Sequence, residues 1–388
     1  MISSFSVFAP PLMGYGASDI IGEKCRDLGL TKVILVHDLG VEKAGLSQRI
    51  EKSLKNAGVE YVSFKEIEPD PTDVSIEAGA RFAQQSGGIK AVIGLGGGSS
   101  LDTAKGINVL MGNPFPLSDY FLGGKPTQKG LPLFLIPTTA GTGSECTQSC
   151  IVSDTKNKRK TTIRSSNCNV ATLAIIDPAL TLDLPPSLTA ITGIDAFAHA
   201  AESLTGNKTN PVSDALNKES LRLISKNLPI AFKDGHNREA RESALLAAMM
   251  AGMGFTNSMC HLGHSFGHAI GAIAHIPHGL AIGSSIAQAI CFVADATPER
   301  VKAIGECMGL TFPSGVSAEE IGRRTGEAIL KLKADINLPE LKSLNVTREQ
   351  IIAAHPLIPK DGCYPFAVKT MTEEQIKEYL GKMYDNVL

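Results

Sequence analysis

Tryptophan is absent from the chain, and aromatic residues make up only 5% of it. Proteins that bind single-stranded nucleic acid stack bases on aromatic rings, so this scarcity argues against that class. Excess positive charge is missing too. The formal net charge is −2, which gives no electrostatic reason to expect a nucleic-acid partner. No uncharged apolar run approaches a membrane span; SALLAAMMAGMGF, at 243–255, is too short and too rich in small residues. No basic side chain precedes Lys24, a poor match to a signal peptide. The eight cysteines contain no CxxC pair, which argues against a zinc knuckle or disulfide framework and for a reducing cytoplasm.

What is present describes an ordinary globular chain: 388 residues, 43% hydrophobic and 20% charged, long enough for two domains. The first half alternates short β-branched runs with amphipathic segments, the pattern of a parallel α/β sheet. Strands are expected at 32–37, 59–64, 91–95 and 133–136, and helices at 46–56, 73–85 and from about Ser100. A hairpin is expected over 147–164. Pro185-Pro186 marks the boundary. Beyond it Ala, Leu, Glu and Lys recur at helical spacing, with helices expected at 187–205, 211–232, 238–270, 279–294, 298–308, 317–334 and 372–386. The fold class is therefore an α/β domain with a parallel sheet, residues 1–184, followed by an all-helical domain, residues 185–388.

The strand at 91–95 runs into Gly96-Gly97-Gly98-Ser99, where a helix begins. Glycines let a backbone approach a pyrophosphate, and a helix N-terminus offers free amides and a favourable dipole. The run is not the usual GxGxxG fingerprint. The candidate acidic residue for a ribose, Asp38, also lies upstream of the loop and not about 20 residues after it.

Five of the nine histidines lie within HLGHSFGHAIGAIAHIPHG, residues 261–279. His261, His264 and His268 are spaced to share one helix face. His264 and His278 would be roughly 21 Å apart on a straight helix, so they meet only if the chain turns back. Gly271 permits a break and Pro277 enforces one. Upstream, in GIDAFAHAAE, Asp195 and His199 stand at i, i+4 and can reach one ion. One Asp with several His gives an oxygen and nitrogen shell suited to Fe(II) or Zn(II), not a thiolate shell.

Taken together, AIIDPALTLDLPPSLTAITGIDAFAHAAE (174–202) and HSFGHAIGAIAHIPHG (264–279) resemble the two signatures of the iron-containing (group III) alcohol dehydrogenases. GLGGGSSLDTAK near residue 100 and PTTAGTGSE near residue 140 extend the resemblance in the same order. It implies a dehydroquinate-synthase-like fold and metal ligands at Asp195, His199, His264 and His278. His268 matches a further histidine between metal and nicotinamide, and His261 matches no family site and is expected to be solvated or hydrogen-bonded. Cofactor contacts fall on Asp38, Gly97, Gly98, Ser99, Asp102, Thr138, Thr139, Thr142, Lys160 and Leu182. Asp38 favours NAD over NADP because its charge repels a 2′-phosphate. Ser149 stands where relatives often carry Asn, and Cys363-Tyr364-Pro365-Phe366 stands where they often show Asn-Pro-Arg.

The function implied is metal-dependent, NAD-linked interconversion of an alcohol with its aldehyde or ketone. The metal is Fe(II), or Zn(II) or another divalent ion, and the chain is expected to form a homo-oligomer, a dimer in the first instance. The alternatives are a glycerol-type dehydrogenase, a sugar-phosphate cyclase or a maleylacetate reductase on the same fold, or a non-catalytic metal or dinucleotide sensor.

Overall fold

The computed structural model describes residues 2–388. The chain divides into two compact units, Val7–Asp183 and a second that takes in Leu184–Leu388 together with the first residues up to Ser6. The grouping of the N-terminal residues with the second unit has no signature in their composition. Their anchor is the Asn257 side chain, which accepts from Ser6 N at 2.8 Å.

In the first unit the strands are β1 (Pro11–Met13), β2 (Lys32–Val36), β3 (Glu60–Phe64), β4 (Ala91–Gly96), β5 (Leu133–Pro137), β6 (Ser149–Asp154), β7 (Arg159–Arg164) and β8 (Leu173–Ile176). The helices are α1 (Ile21–Asp27), α2 (Leu39–Lys43), α3 (Leu46–Asn56), α4 (Asp73–Gln85) and α5 (Gly98–Gly112). Six strands form one sheet in the order β1-β8-β5-β4-β2-β3, every pairing parallel. β6 and β7 form the expected antiparallel hairpin. Strand side chains alternate between faces. Val33, Leu35, Ile93, Leu95, Phe134 and Ile136 pack with Ile21 and Cys25 of α1 and Ile50 and Leu54 of α3. On the other face α5 lies so close to β4 that a Cβ on Gly94 would stand 2.8 Å from the Ala104 Cβ. Each fully buried aliphatic side chain contributes about 1.5–3 kcal/mol, which explains why the near-continuous apolar runs became central strands.

The second unit has no strand among its described residues. Its helices are α6 (Pro186–Thr205), α7 (Pro211–Lys233), α8 (Arg238–Ser258), α9 (Leu262–Ala274), α10 (His278–Val293), α11 (Pro298–Cys307), α12 (Ala318–Asp335), α13 (Arg348–Ile352) and α14 (Glu373–Asp385). Every residue of α6 from Gly193 onward is buried.

Two expectations are corrected here. The single helix expected at 238–270 is two helices, because Met259 takes φ 69° and His261 takes φ −141°, ψ −117°. The helix end expected at 270 lies at Ala274, and the reversal, expected between Gly271 and Pro277, occurs at 275–277. α9 continues through Gly271 and closes at His275 with φ 51°, and Pro277 immediately precedes α10. Close helix approach follows from a missing side chain at Gly279, where a Cβ would lie 2.2 Å from the Ile191 carbonyl oxygen of α6.

Candidate metal centre and dinucleotide turn

On α6, Asp195, His199 and Glu202 fall at i, i+4 and i+7, so one side of an otherwise apolar helix carries three ionisable groups. The first turn of α9 presents His264 to this face, and the first residue of α10 presents His278. Asp195 Oδ1 lies 3.5 Å from His278 Nε2 and 3.9 Å from His264 Nε2. Asp195 Oδ2 lies 3.9 Å from His199 Nδ1. Two ligand atoms on one ion with bonds of about 2.1 Å and tetrahedral angles stand roughly 3.4 Å apart, so this spacing suits a shared cation. Ligand atoms of Asp195, His264 and His278 lie within 4.8 Å of one another, as do those of His199, Cys260 and His264. The His199 ring stacks on Phe255 of α8 at 4.3 Å and stands 4.7 Å from the His264 ring.

The decisive feature is what these atoms lack. Asp195 Oδ1, His199 Nδ1 and His264 Nε2 are buried without a hydrogen-bond partner. An unpaired buried polar group is costly, and such atoms on neighbouring candidate ligands fit a bound cation. Burial pushes the Asp195 carboxyl up, but the four histidines His199, His278, His264 and His268 outweigh it and hold the carboxyl below its ordinary value. Burial, aided by His199, drives His264 well below the usual imidazole range, which leaves it neutral and able to bind metal. Burial pushes the Cys260 thiol well up. Asp195 offers the cluster an anionic oxygen.

His261 does not share the face of His264 and His268. It precedes α9, is fully buried, and its Nε2 bonds Thr205 Oγ1 at 2.9 Å. It is therefore hydrogen-bonded and not solvated. His268 is half-buried, and its Nδ1 meets Asp361 Oδ2 at 2.8 Å. Asp361 also accepts from Ser265 Oγ at 3.1 Å and from Cys363 N at 2.9 Å. Burial pushes the Asp361 carboxyl up, yet the hydrogen bond from His268 and its charge bring it below its ordinary value.

Sequence reasoning missed Asp361 and Glu202. For Glu202 the i+7 spacing was available. For Asp361, 93 residues from its partner, no local signal existed.

The predicted cofactor residues gather at the carboxyl end of the sheet, where open α/β sheets bind ligands. Gly97 is the residue before α5, and no side chain caps that helix. A Cβ on Gly97 would touch Thr139 at 3.5 Å, and one on Gly98 would meet Thr142 Cγ2 at 2.8 Å. The backbone of Thr138 donates to the Gly96 carbonyl at 3.0 Å. Asp38 sits at the end of β2, capping α2 through Val41 N at 2.9 Å and accepting from Ser100 Oγ at 2.9 Å. Ser99 Oγ accepts from Asp70 N at 3.3 Å, and Asp70 in turn takes Lys160 Nζ at 2.7 Å. Lys160 on the hairpin thus comes alongside the glycine turn. Leu182, half-buried, follows the turn Pro178–Thr181 after β8. Asp102 is engaged within the protein. Its Oδ1 accepts from Ser144 Oγ at 2.7 Å and its Oδ2 from Ile151 N at 3.1 Å, so it holds the 137–151 loop in place.

Comparison with known proteins agrees with this geometry. Residues 11–178 match the family model for iron-containing alcohol dehydrogenase, and residues 189–384 match that of the Fe-containing alcohol dehydrogenase family, C-terminal. A sulfoacetaldehyde reductase of Bilophila wadsworthia (strain 3_1_6) is 34% identical over 342 residues, covering 88% of each chain. The crystal structure of a 1,3-propanediol oxidoreductase superposes with a TM-score of 0.94 at 31% identity, covering 99% of this chain and 100% of that one. That of sulfoacetaldehyde reductase from Bifidobacterium kashiwanohense, in complex with NAD+, does so with a TM-score of 0.88 at 28% identity, covering 100% and 99%. Matched on both units and along nearly its whole length, the chain belongs to the iron-containing alcohol dehydrogenase family and is an oxidoreductase of alcohols and aldehydes.

Proposed function

We propose that the protein is an NAD-linked alcohol dehydrogenase or aldehyde reductase whose divalent ion, Fe(II) or a substitute such as Zn(II), is held by Asp195, His199, His264 and His278. The observation that carries this reading is that three candidate ligands each keep a buried atom without a partner, Asp195 Oδ1, His199 Nδ1 and His264 Nε2, with the Asp195 carboxylate 3.9 Å from each of the two rings. When bound, such an ion acts as a Lewis acid that polarises the substrate oxygen and makes an alcohol easier to deprotonate.

The side chains supply the rest. Asp361, held ionised, fixes the Nδ1 of His268 as a donor, which leaves Nε2 free to accept a proton from a substrate hydroxyl. His268 is partly exposed, so it can pass that proton to water. The uncapped N-terminus of α5 offers amides to a pyrophosphate. Asp38 lies beside that turn as acceptor for ribose hydroxyls, and its charge disfavours the 2′-phosphate of NADP. Thr138, Thr139, Thr142, Lys160 and Leu182 complete the dinucleotide site, with Asp102 acting through the loop it holds.

The outer edge of β1 ends the sheet with Met13 half-exposed, and an unpaired edge strand invites pairing with a second copy; we read the assembly as a homodimer. No disulfide joins the cysteines among the described residues, which supports a reducing cytoplasm, and no described helix is long and apolar enough to cross a membrane.

The test is NADH formation against primary alcohols, diols and polyols, with NADP in parallel, after chelation and re-addition of Fe(II) or Zn(II). Turnover with NAD that returns with metal supports the reading. Turnover indifferent to metal, or strict use of NADP, refutes its metal or its cofactor part.

A further inference from the structure

Glu202 has no exposed surface, yet it is surrounded by donors. Its Oε1 accepts the backbone N–H of His261 at 3.0 Å and that of His264 at 3.2 Å. Its Oε2 meets His264 Nδ1 in a very short contact. Both amides lie at the start of α9, where no side chain of that helix provides a cap. Helix starts leave amides that need an acceptor, and here a carboxylate from α6 serves. The space for it is built in. A Cβ on Gly263 would stand 2.9 Å from both Cδ and Oε2 of Glu202, so only glycine lets the carboxylate lie against this turn.

The two oxygens have separable duties. Oε1 caps the helix, and Oε2 faces the ring nitrogen of His264 that points away from Asp195. An acceptor at Nδ1 places the ring hydrogen there and leaves the lone pair on Nε2, the atom that faces Asp195 and lacks a partner. We propose that Glu202 is a positioning residue that selects the metal-competent tautomer of His264 while anchoring the first turn of α9. This rests on the metal-centre reading above. Partners of this kind orient ligating histidines and raise their basicity, and their loss typically weakens metal affinity 10–100-fold.

Glu202→Gln separates the two duties. The amide oxygen can still accept both backbone N–H groups, but the amide nitrogen presents hydrogens to Nδ1. The ring must then carry its own hydrogen on Nε2, where it blocks the cation. Full-length wild type and variant are stripped with chelator. Their histidine tautomers are read by long-range proton–nitrogen NMR, and their Zn(II) dissociation constants by competition with a chromogenic chelator. The expected result is Nδ1–H at His264 in the wild type, Nε2–H in Glu202→Gln, a 10–100-fold weaker Zn(II) affinity, and a metal-free melting temperature close to wild type.

Nε2–H in the wild type, an unchanged tautomer in the variant, or unchanged affinity would overturn the proposal. A purely structural role predicts a lower melting temperature with no change of tautomer. Should Glu202→Gln fail to fold, Gly263→Ala displaces the carboxylate without altering its chemistry. It is expected to weaken Zn(II) about tenfold, and wild-type affinity and tautomer there would equally overturn the proposal. The tautomer is read without metal, so it decides the role of Glu202 separately. If the wild type or His264→Ala showed no His264-dependent Zn(II) binding, the metal-centre reading would fail instead.

Discussion

Two buried clusters of ionisable groups, one in each unit, differ in satisfaction. In the α/β unit Lys105 is fully buried, and its Nζ is surrounded by four oxygens: Ser144 O at 2.6 Å, Ser144 Oγ at 2.8 Å, Thr147 Oγ1 at 3.1 Å and Ser149 O at 2.7 Å. Asp102, one turn earlier, spends both oxygens on the same loop. In the helical unit Asp195, His199 and His264 each keep a buried atom that nothing in the protein engages. Burial costs both clusters alike. The first recovers that cost within the chain, so it is part of the scaffold. The second recovers it only from something bound. Glu145, beside Lys105, shows the third solution. Its Oε2 also lacks a partner, and burial pushes its carboxyl up to about 7, so it takes a proton as pH falls below neutrality.

The sharpest way to break the contrast lies within the helical cluster. His264→Ala should lose metal and turnover together. His268→Ala should keep the ion and slow turnover by about 10²–10⁴-fold, the usual size of a general acid–base contribution. Metal content per chain and the pH dependence of kcat distinguish them. If His268→Ala loses its ion while His264→Ala keeps it, the roles are reversed.

The same contrast predicts the opposite phenotype for Lys105→Met. Removing one member of a buried charge pair costs about 3–5 kcal/mol, so urea denaturation should show a large loss of stability while bound metal per chain is unchanged. A variant as stable as wild type would mean that the knot around Lys105 supports nothing.

Asp38 lies between these extremes, with a role inside the fold and a proposed one outside it. Asp38→Gly should weaken NAD by roughly 1.5–3 kcal/mol, the worth of a hydrogen bond to a charged group, and relieve the repulsion of NADP. Equilibrium binding of both cofactors checks this, and unchanged affinity for both would leave Asp38 as only the cap of α2.

The last effect is a pH dependence. The folded-state pKa of Glu145 is raised from 4.5 to about 7, so its favourable contribution is complete below about pH 4.5 and is lost as pH rises through about 7. Glutamine cannot ionise. Glu145→Gln should therefore gain on wild type between about pH 5 and about pH 8, by at most ~1.4 kcal/mol per pH unit. Denaturation midpoints that keep a constant separation across this range would show that Glu145 does not titrate there.

Legibility from the sequence followed the range of the forces involved. Central strands and long helices carry their pattern locally, so β2, β4, β5, α3 and α4 were readable almost to the residue. β1 and β8 have only three and four residues, too few for a period to register. The split of the helix expected at 238–270 depends on a positive φ at Met259, which no local preference of methionine announces. Asp195 and His199 were visible because helix geometry sets their spacing. His278 needed the reversal at 275–277 to come near them; Pro277 signalled a break there, and the resemblance supplied its assignment as a ligand. Asp361 and the four partners of Lys105 are brought in by tertiary packing across 39–93 residues of chain, beyond any local rule.

The central claim is that the partnerless atoms around Asp195 exist to hold one ion. It is tested most directly by titrating Fe(II) or Zn(II) into chelator-stripped, verified metal-free protein while following NADH formation. The account predicts negligible turnover at the start, a linear rise, and saturation at about one ion per chain, with none of this in His264→Ala. Full turnover in the metal-free protein would contradict it.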